Sequence, residues 1–314
     1  MKQLKIPVRL TLLIPVIFLF ALLPLFSGGY RKQAPSFAEK QPDTLTFLFF
    51  SDTQADPETG DYYSLGEMLS RAVTQDQHTA LVIFGGDTVN DGKDAAEWRD
   101  FWQAAKVPLT GLITAAVPGN HDSHALLAEQ FCYPLKAPAK QEEGFFYSLD
   151  HGPVHFIMLD SNIMGAANSA DAKWLQNDLQ SEEARQAVWR IAVMHHPLWP
   201  LTENPKDTRR AETMREYFLP LLEAGGVDLI LCGHQHIYGR SLPMRGESPA
   251  ESGGIIQIMA ASGAKVSYVT GGNDHVAVSS PAPNYLLLQA DEQKLTVTAC
   301  NEHHEAFDTC TLTR

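Results

Sequence analysis

Residues 113–122 read Ile-Thr-Ala-Ala-Val-Pro-Gly-Asn-His-Asp. The first five residues form an apolar run with the length of a buried strand, and the last five form a polar cluster that opens with the turn residues Pro118 and Gly119. Ser123 comes next and can cap a helix over His124–Cys132. Strand, polar loop and helix in this order are the repeating unit of an α/β fold, which this stretch therefore predicts.

The same beginning recurs at four other places in the chain. Each place has an apolar run of strand length before a polar cluster: Leu45–Phe50 before Ser51-Asp52-Thr53-Gln54, Leu81–Phe84 before Gly85-Gly86-Asp87, Val188–Met194 before His195-His196-Pro197, and Val227–Cys232 before Gly233-His234-Gln235-His236. Turns need no histidine, so turn formation alone does not account for these clusters. Because open α/β sheets place their ligand crevice at the carboxyl ends of the strands, we expect the clusters to meet. Their Asp, Asn and His side chains together indicate a metal site.

The remaining segments continue the α/β pattern without a linker that would separate two domains. Helices are predicted after the caps Asp94, Ser169 and Thr208: Ala95–Lys106, Ala170–Gln180, and a longer helix that bends at Pro220 and ends at Gly225-Gly226. One more strand is predicted in the middle of the chain and four in its C-terminal third: Val154–Leu159, Ile255–Ala260, Tyr285–Gln289, Lys294–Cys300 and Asp308–Thr313.

Taken in order, the polar clusters resemble the motifs of the calcineurin-like metallophosphoesterase superfamily, which includes the purple acid phosphatases and the class III cyclic-nucleotide phosphodiesterases. The family pattern is D-x-H, G-D, G-N-H-[DE], a single His after a strand, and G-H-x-H. It corresponds here to Asp52-x-Gln54, Gly86-Asp87, Gly119-Asn120-His121-Asp122, His195 and Gly233-His234-x-His236. The resemblance covers about residues 44 to 300. It implies one α/β domain over 44–314, a four-layer sandwich of two mixed β-sheets packed face to face with flanking helices.

The resemblance also implies a site for two metal ions. Asp52, Asp87 and His236 would hold one metal, and Asp87, Asn120, His195 and His234 would hold the other, with the Asp87 carboxylate shared between them. Ligands of these types admit Mn, Fe or Zn. The implied reaction is the hydrolysis of a small phosphate mono- or diester by a hydroxide that bridges the two metals.

Two more residues are assigned to catalysis on the same resemblance. His121 would face the leaving-group oxygen, and Asp122 would fix the tautomer and charge of its ring. The alternative for Asp122 is that it caps the helix near Ser123. His196 competes with His195 for the single-His position, and His195 is preferred because it directly follows the apolar strand.

Gln54 departs from the family pattern, since most members have His at this position. Its amide oxygen is a neutral ligand and a weaker one than imidazole. The purple acid phosphatases also lack this His but supply a Tyr three residues after the G-D aspartate, where this chain has Asn90. We interpret the chain as a metal-dependent phosphoric ester hydrolase; the alternative is a degenerate relative that binds metal or phosphate without turnover. Substrate choice is expected to lie in loops such as Asp56–Asp61 and Trp199–Asp207.

The charge balance excludes one class of partner. The 314 residues include 24 Lys and Arg against 37 Asp and Glu, a net charge of −13. Nonspecific nucleic-acid binding needs a surplus of basic residues, so no nucleic acid is expected as a partner. The four Cys form no C-x-x-C pair. Cys300 and Cys310 flank a predicted hairpin, where they either pair or stay reduced on separate faces.

The N-terminal residues indicate export. Basic residues precede an uncharged apolar run, Leu10–Phe26, which is the layout of a signal peptide or a signal anchor over residues 1–30. Residues 31–43 are polar and are interpreted as a short tether. The chain is therefore expected in the periplasm, outside the cell, or held by residues 10–26 at the outer side of the cytoplasmic membrane.

Overall fold

The computed structural model describes residues 44–56, 58–132, 144–164, 169–202, 204–263, 273–280 and 283–314. The predicted export segment and tether, residues 1–43, lie outside these ranges. Among the described residues, no helix has the length and apolar character needed to cross a bilayer.

The described part of the chain alternates strands and helices over most of its length. Its helices are α1 (Tyr63–Gln75), α2 (Ala95–Ala105), α3 (His124–Gln130), α4 (Ala170–Leu179), α5 (Glu182–Gln186), α6 (Pro205–Tyr217) and α7 (Leu219–Ala224). Its strands are β1 (Leu45–Phe50), β2 (Thr79–Phe84), β3 (Ile113–Ala116), β4 (Tyr147–His151), β5 (Val154–Met158), β6 (Trp189–Val193), β7 (Leu229–Cys232), β8 (Tyr238–Ser241), β9 (Met244–Arg245), β10 (Ser248–Pro249), β11 (Ile256–Met259), β12 (Val276–Ser280), β13 (Asn284–Ala290), β14 (Lys294–Asn301) and β15 (Ala306–Thr313).

The strands form two large mixed sheets. The first sheet has the order β15-β14-β13-β1-β2-β3, in which β1, β2 and β3 are parallel. The second has the order β12-β8-β11-β7-β6-β5-β4, in which β5, β6, β7 and β11 are parallel. The short strands β9 and β10 pair with each other. Parallel neighbours end at the same edge of a sheet, so the loops after β1–β3 share one edge, and those after β6 and β7 share another.

The main apolar core lies between the two sheets. Phe47 of β1 meets Phe156 of β5 edge to face, with ring centroids 5.0 Å apart, and apolar side chains of both sheets fill the rest of the layer. Helices α1, α2 and α3 cover the outer face of the first sheet, and α4, α6 and α7 cover that of the second. The predicted fold class, two mixed sheets packed face to face with helices outside, is confirmed.

The helix predicted to follow Thr208 begins earlier in the chain. Helix α6 starts at Pro205, and the side chain of Asn204 caps it by accepting a hydrogen bond from the N–H of Lys206 at 3.0 Å. Proline is well suited to the first helical position because its missing N–H would have no partner there. Helix α6 also ends before α7 begins, so the predicted bend at Pro220 is a break between two helices.

Cys300 and Cys310 do not form a disulfide bond. Strands β14 and β15 are neighbours, but Val297 lies opposite Cys310, and Ala306 lies opposite Cys300 after a register shift at Ala299 and Cys300. Cys310 faces the core between the sheets, whereas Cys300 faces the helices on the outer side. Both thiols are free. Of the two alternatives, the structure has the reduced thiols on separate faces.

Candidate metal centre

Loops from both sheets meet at the carboxyl ends of the parallel strands. The Nδ1–H of His195, after β6, donates a hydrogen bond to the carbonyl of Gly85, after β2, at 2.9 Å. The backbone N–H of His234, after β7, lies 2.8 and 3.0 Å from the two carboxylate oxygens of Asp52, after β1. These two contacts join the first sheet to the second, so the strand-end clusters lie together.

Asp87, after β2, lies at the middle of this group. Its Oδ1 accepts a hydrogen bond from the backbone N–H of His121 at 2.9 Å. Its Oδ2 accepts one from Nε2 of Gln54 at 3.3 Å and lies 3.4 Å from Nε2 of His195. A candidate ligand of each predicted metal, Gln54 for the first and His195 for the second, therefore lies at the same carboxylate oxygen of Asp87.

Asp52 and His236 form the other end of the group. Oδ1 of Asp52 lies 3.5 Å from Nε2 of His236, and its Oδ2 accepts a hydrogen bond from the Ser51 hydroxyl at 2.9 Å. Both carboxylates, Asp52 and Asp87, are almost fully buried. Buried carboxylates are costly unless hydrogen bonds or positive charge compensate them, so this arrangement favours a cation.

The backbone is strained at four of the candidate ligands. Asp52, Asp87, His234 and His236 have φ angles of 52°, 49°, 77° and 49°. In the described ranges, His304 is the one other non-glycine residue with positive φ. A left-handed conformation costs a non-glycine residue about 1–2 kcal/mol and persists where the surroundings enforce it, commonly at functional sites.

Two glycines of the motifs allow the backbone to approach these carboxylates. A Cβ atom at Gly119 would lie 2.1 Å from Oδ1 of Asp87, and one at Gly233 would lie 2.2 Å from Oδ2 of Asp52. No other residue fits at either position without displacing the carboxylate. The glycines of G-N-H-D and G-H-x-H therefore serve to bring the loops into contact.

In the centre, two buried side-chain atoms that could bind a metal have no hydrogen-bond partner among the described residues. Within the described part of the chain, Oε1 of Gln54 and Nε2 of His195 are buried and make no hydrogen bond. The ligand atoms of Asp52, Asp87 and His195 lie within 4.8 Å of one another, as do those of His195, His196 and His234. Buried polar atoms normally have hydrogen-bond partners. A lone pair that lies beside carboxylates and has no such partner can be satisfied by a bound cation. These residues fit a bound metal.

Electrostatics couple Asp87 to His195. Burial alone would raise the pKa of Asp87, but the positive charge of His195 and the contacts with His121 hold it below its usual value. Burial alone would lower the pKa of His195, but the negative charges of Asp87 and Asp52 raise it to about 9. The carboxylates thus favour positive charge at the Nε2 position of His195, and a metal ion competes with a proton for that position.

The ring of His121 is held by a backbone carbonyl. Its Nδ1 lies 2.7 Å from the carbonyl oxygen of Asn90, which can only accept, so Nδ1 carries a proton. Its Nε2 lies 3.9 Å from Oδ2 of Asp87, and the side chain is 38% exposed. The ring therefore presents Nε2 to the centre while remaining open to a ligand from solvent.

The contact expected between Asp122 and the ring of His121 is not formed, and Asp122 does not cap the following helix. Its carboxylate instead accepts hydrogen bonds from the backbone N–H groups of Gly119 at 2.9 Å and Thr88 at 3.2 Å. Burial and, after it, the charge of Asp87 raise the pKa of Asp122 to about 7. Asp122 turns inward because its own loop offers backbone donors there, and it ties that loop to the one after Asp87.

His195 and His196 point to different surroundings. His195 lies against Asp87, whereas Nδ1 of His196 lies 2.8 Å from the hydroxyl of Ser161. Burial and the neighbouring His195 lower the pKa of His196 well below its usual value, so its ring is neutral. Asn120 lies in the loop after β3 with an exposed side chain.

Sequence reasoning missed a contact from helix α6. Oδ1 of Asp207 lies 3.0 Å from Nε2 of His234, and Oδ2 accepts a hydrogen bond from Nε2 of Gln235 at 2.8 Å. In the sequence, Asp207 ends the loop before the predicted cap Thr208, and no local pattern there indicates a partner in the site. The contact of the Asn90 carbonyl with His121 and that of the Ser161 hydroxyl with His196 were also missed, because each depends on how distant loops meet.

Comparison with known proteins identifies relatives of this chain. The model of the Calcineurin-like phosphoesterase family matches residues 45–238. Purple acid phosphatase 23 of Arabidopsis thaliana is 28% identical over 150 residues, which are 45% of this chain and 32% of that protein. The purple acid phosphatase of Glycine max is 28% identical over 202 residues, which are 59% of this chain and 42% of that protein. The chain therefore spans less than half the length of either of these curated relatives.

Solved structures share the fold at low sequence identity. Purple acid phosphatase PPD1 from yellow lupin superposes with a TM-score of 0.70 at 17% identity, over 86% of this chain and 54% of that one. GAP50, described as the anchor in the inner membrane complex of Plasmodium, superposes with a TM-score of 0.62 at 17% identity, over 86% of this chain and 89% of that one. The family match runs from β1 into β8 and includes all five polar loops. The chain belongs to the calcineurin-like phosphoesterase family.

Proposed function

We propose that this chain is a metal-dependent phosphoric ester hydrolase that uses two metal ions to hydrolyse a small phosphate mono- or diester. The observation that carries the proposal is the buried group around Asp87, in which Gln54 and His195 present unpaired donor atoms beside carboxylates. Membership of the family and the purple acid phosphatases among its relatives support this reaction class. The catalytic domain is proposed to be residues 44–314.

The candidate ligands divide into two sets that share Asp87. Asp52, Gln54, Asp87 and His236 would hold the first metal, and Asp87, Asn120, His195 and His234 would hold the second. When bound, the metals (Mn, Fe or Zn) supply the positive charge that polarises the phosphate group and activates a water molecule for in-line attack on phosphorus. The chain's own contribution is to hold ligand atoms close together on buried side chains, as in Asp52, Asp87 and His195.

His121 is proposed to protonate the leaving-group oxygen. Because the carbonyl of Asn90 keeps the proton on Nδ1, Nε2 is the atom that gains and loses a proton. The partial exposure of the ring supports contact with a substrate that enters from solvent.

Asp122 is proposed to act on His121 through the backbone. Its carboxylate ties the N–H groups of Gly119 and Thr88 together, and these belong to the loops that carry His121 and Asp87. A buried carboxylate with two backbone donors fixes the distance between those loops. Asp122 would thus determine the position of the His121 ring without contacting it.

The alternative is a relative that binds metal or phosphate without turnover. Gln54 supports this reading, because it replaces an imidazole with a weaker ligand. GAP50, which has a similar fold, is itself described as an anchor. The full set of other candidate ligands favours the hydrolase.

Export is proposed on the sequence of residues 1–30. A cleaved segment would release the domain into the periplasm or the medium, and a retained one would tether it through residues 31–43 to the outer face of the membrane. The N-terminal sequence of protein recovered from cells distinguishes the two.

We expect Gln54→His to tighten the first metal site. In the wild type the Gln54 amide donates to Asp87, so at best one neutral oxygen faces the first metal, and that site should be the weaker and more exchangeable one. An imidazole nitrogen binds these ions better, and we expect about a tenfold gain in affinity at that site. Titration of Mn or Zn into metal-stripped wild type and Gln54→His measures both affinities.

His195→Gln is the matched comparison, because it makes the opposite exchange at a residue that lies against the same Asp87 oxygen, and it should weaken the second site. Two equally tight sites in the wild type would contradict the role given to Gln54. An unchanged affinity in Gln54→His would mean that Gln54 only positions Asp87.

The proposed reaction is tested by turnover of a simple monoester, p-nitrophenyl phosphate, and a simple diester, bis(p-nitrophenyl) phosphate, with Mn, Fe or Zn present. We expect hydrolysis of at least one of the two esters and its loss on chelation. A protein that binds two metals but hydrolyses neither ester would favour the binding protein instead.

A further inference from the structure

Asp207 of helix α6 touches a candidate metal ligand. One carboxylate oxygen lies 3.0 Å from Nε2 of His234, and the two side chains are 11% and 19% exposed. The other oxygen accepts a hydrogen bond from Nε2 of Gln235 at 2.8 Å. The carboxylate thus contacts two consecutive residues of the loop after β7, in the G-H-x-H motif itself.

Helix capping does not explain where this carboxylate points. The side chain of Asn204 caps α6, since it accepts a hydrogen bond from the N–H of Lys206. Among the described residues, the hydrogen bonds of Asp207 go to His234 and Gln235, and none goes to an N–H of the helix. An acidic side chain in a first turn is free to face solvent, so its inward direction reflects its contacts with the loop.

The orientation of Gln235 is fixed from its other end. Its Oε1 accepts hydrogen bonds from the backbone N–H groups of Leu201 at 2.7 Å and Thr202 at 3.3 Å. The amide nitrogen must therefore be the end that faces Asp207, and it needs an acceptor there. Gln235 holds the Asp207 carboxylate in place, and the second oxygen of that carboxylate is left for His234.

This contact decides which nitrogen of His234 is free. An ionised carboxylate only accepts hydrogen bonds, so Nε2 of His234 carries the proton and Nδ1 carries the lone pair. Metal-binding histidines generally donate their other N–H to a carboxylate or carbonyl, which orients the ring and strengthens the ligand. His195 follows the same rule in this centre, because its Nδ1–H donates to the carbonyl of Gly85.

We propose that Asp207 is a positioning residue of the second metal site, which holds His234 in the tautomer that binds metal through Nδ1. The proposal rests on the two-metal function proposed above and adds a residue to it. It gives the loop Trp199–Asp207 a role in metal binding, where the sequence indicated substrate choice alone. It also means that the candidate metal centre depends on helix α6, which contributes no candidate ligand.

The test is metal affinity in Asp207→Ala and Asp207→Asn. We expect Asp207→Ala to weaken the second site for Zn by about 10–100-fold, while the first site changes by less than about twofold. Asn keeps a neutral acceptor oxygen, so Asp207→Asn should lose less affinity than Asp207→Ala. Glu212→Ala is the control, because it removes the same charge from an exposed position on the same helix.

A second readout separates positioning from folding. Histidine ¹⁵N NMR of the metal-stripped protein, assigned with His234→Gln, should show His234 protonated at Nε2 in the wild type and mixed between tautomers in Asp207→Ala. Equal weakening of both sites together with a lower melting temperature would show that Asp207 is only structural. Unchanged affinity at both sites would also overturn the proposal.

The two proposals fail in different ways. Absence of ester hydrolysis in the metal-loaded wild type would count against the proposed reaction alone, because the Asp207 test measures metal binding. Unchanged metal affinity in Asp207→Ala would count against Asp207 alone, because the reaction does not require this contact to be the one that orients His234.

Discussion

Asp87→Asn is expected to lower kcat/KM by at least about three orders of magnitude and to reduce the bound metal to less than one ion per chain. Asp87 is the one candidate ligand that both metal sets share, and its two oxygens face His121 on one side and Gln54 and His195 on the other. Asparagine has the same shape but replaces one oxygen with an NH₂ group, which donates and cannot bind a cation. Metal should therefore be lost from both sites, although the substitution has little effect on packing.

The measurement is kcat/KM for the better of the two p-nitrophenyl esters, together with metal content by elemental analysis. Asp91→Asn is the matched control, since it makes the same exchange at an exposed position four residues away. Wild-type turnover and wild-type metal content in Asp87→Asn would show that the metals are not shared at this residue.

His121→Ala should lower the rate by about two to four orders of magnitude and leave the metal content near that of the wild type. The contacts of the ring explain why the rate should fall while the metal content does not. Nδ1 is held by the carbonyl of Asn90, and Nε2 lies 3.9 Å from Oδ2 of Asp87. Removing the ring takes away a proton donor, whereas the backbone N–H of His121 that binds Asp87 remains. The loss should appear mainly in kcat, because protonation of the leaving group occurs in the transition state.

The control for this variant is His78→Ala, which removes an exposed histidine outside the centre. A substrate with a better leaving group needs less help from an acid, so the deficit of His121→Ala should shrink as the leaving-group pKa falls. A parallel loss of metal would make His121 a ligand, and an equal deficit for all leaving groups would remove its role as a proton donor.

The loops of the centre were predictable because their signals are local. The apolar run before Asp87 forms β2, and the run before His195 forms β6, and parallel strands in an α/β sheet end at a common edge. What local patterns do not determine is the partner of a polar side chain. Asp122 binds the N–H groups of Gly119 and Thr88, and the second of these comes from a loop more than thirty residues earlier.

The same limit explains the earlier start of helix α6 and the choice between the two alternatives left open for the cysteines. Thr208 and Asn204 are both good helix caps, and the proline after Asn204 selects the earlier start. For Cys300 and Cys310, a register shift between β14 and β15 decides which faces the thiols occupy. A shift of one residue reverses the face of a strand, and the sequence of a hairpin carries little information about such a shift.

The central claim, that hydrolysis requires two metals around Asp87, is tested most directly by titrating Mn or Zn into metal-stripped protein while bound metal and turnover of the p-nitrophenyl ester are followed in one sample. We predict that two ions bind per chain, that the site with His195 and His234 fills first, and that turnover rises mainly with the second equivalent. Saturation at one ion per chain, or full turnover in the stripped protein, would contradict the account.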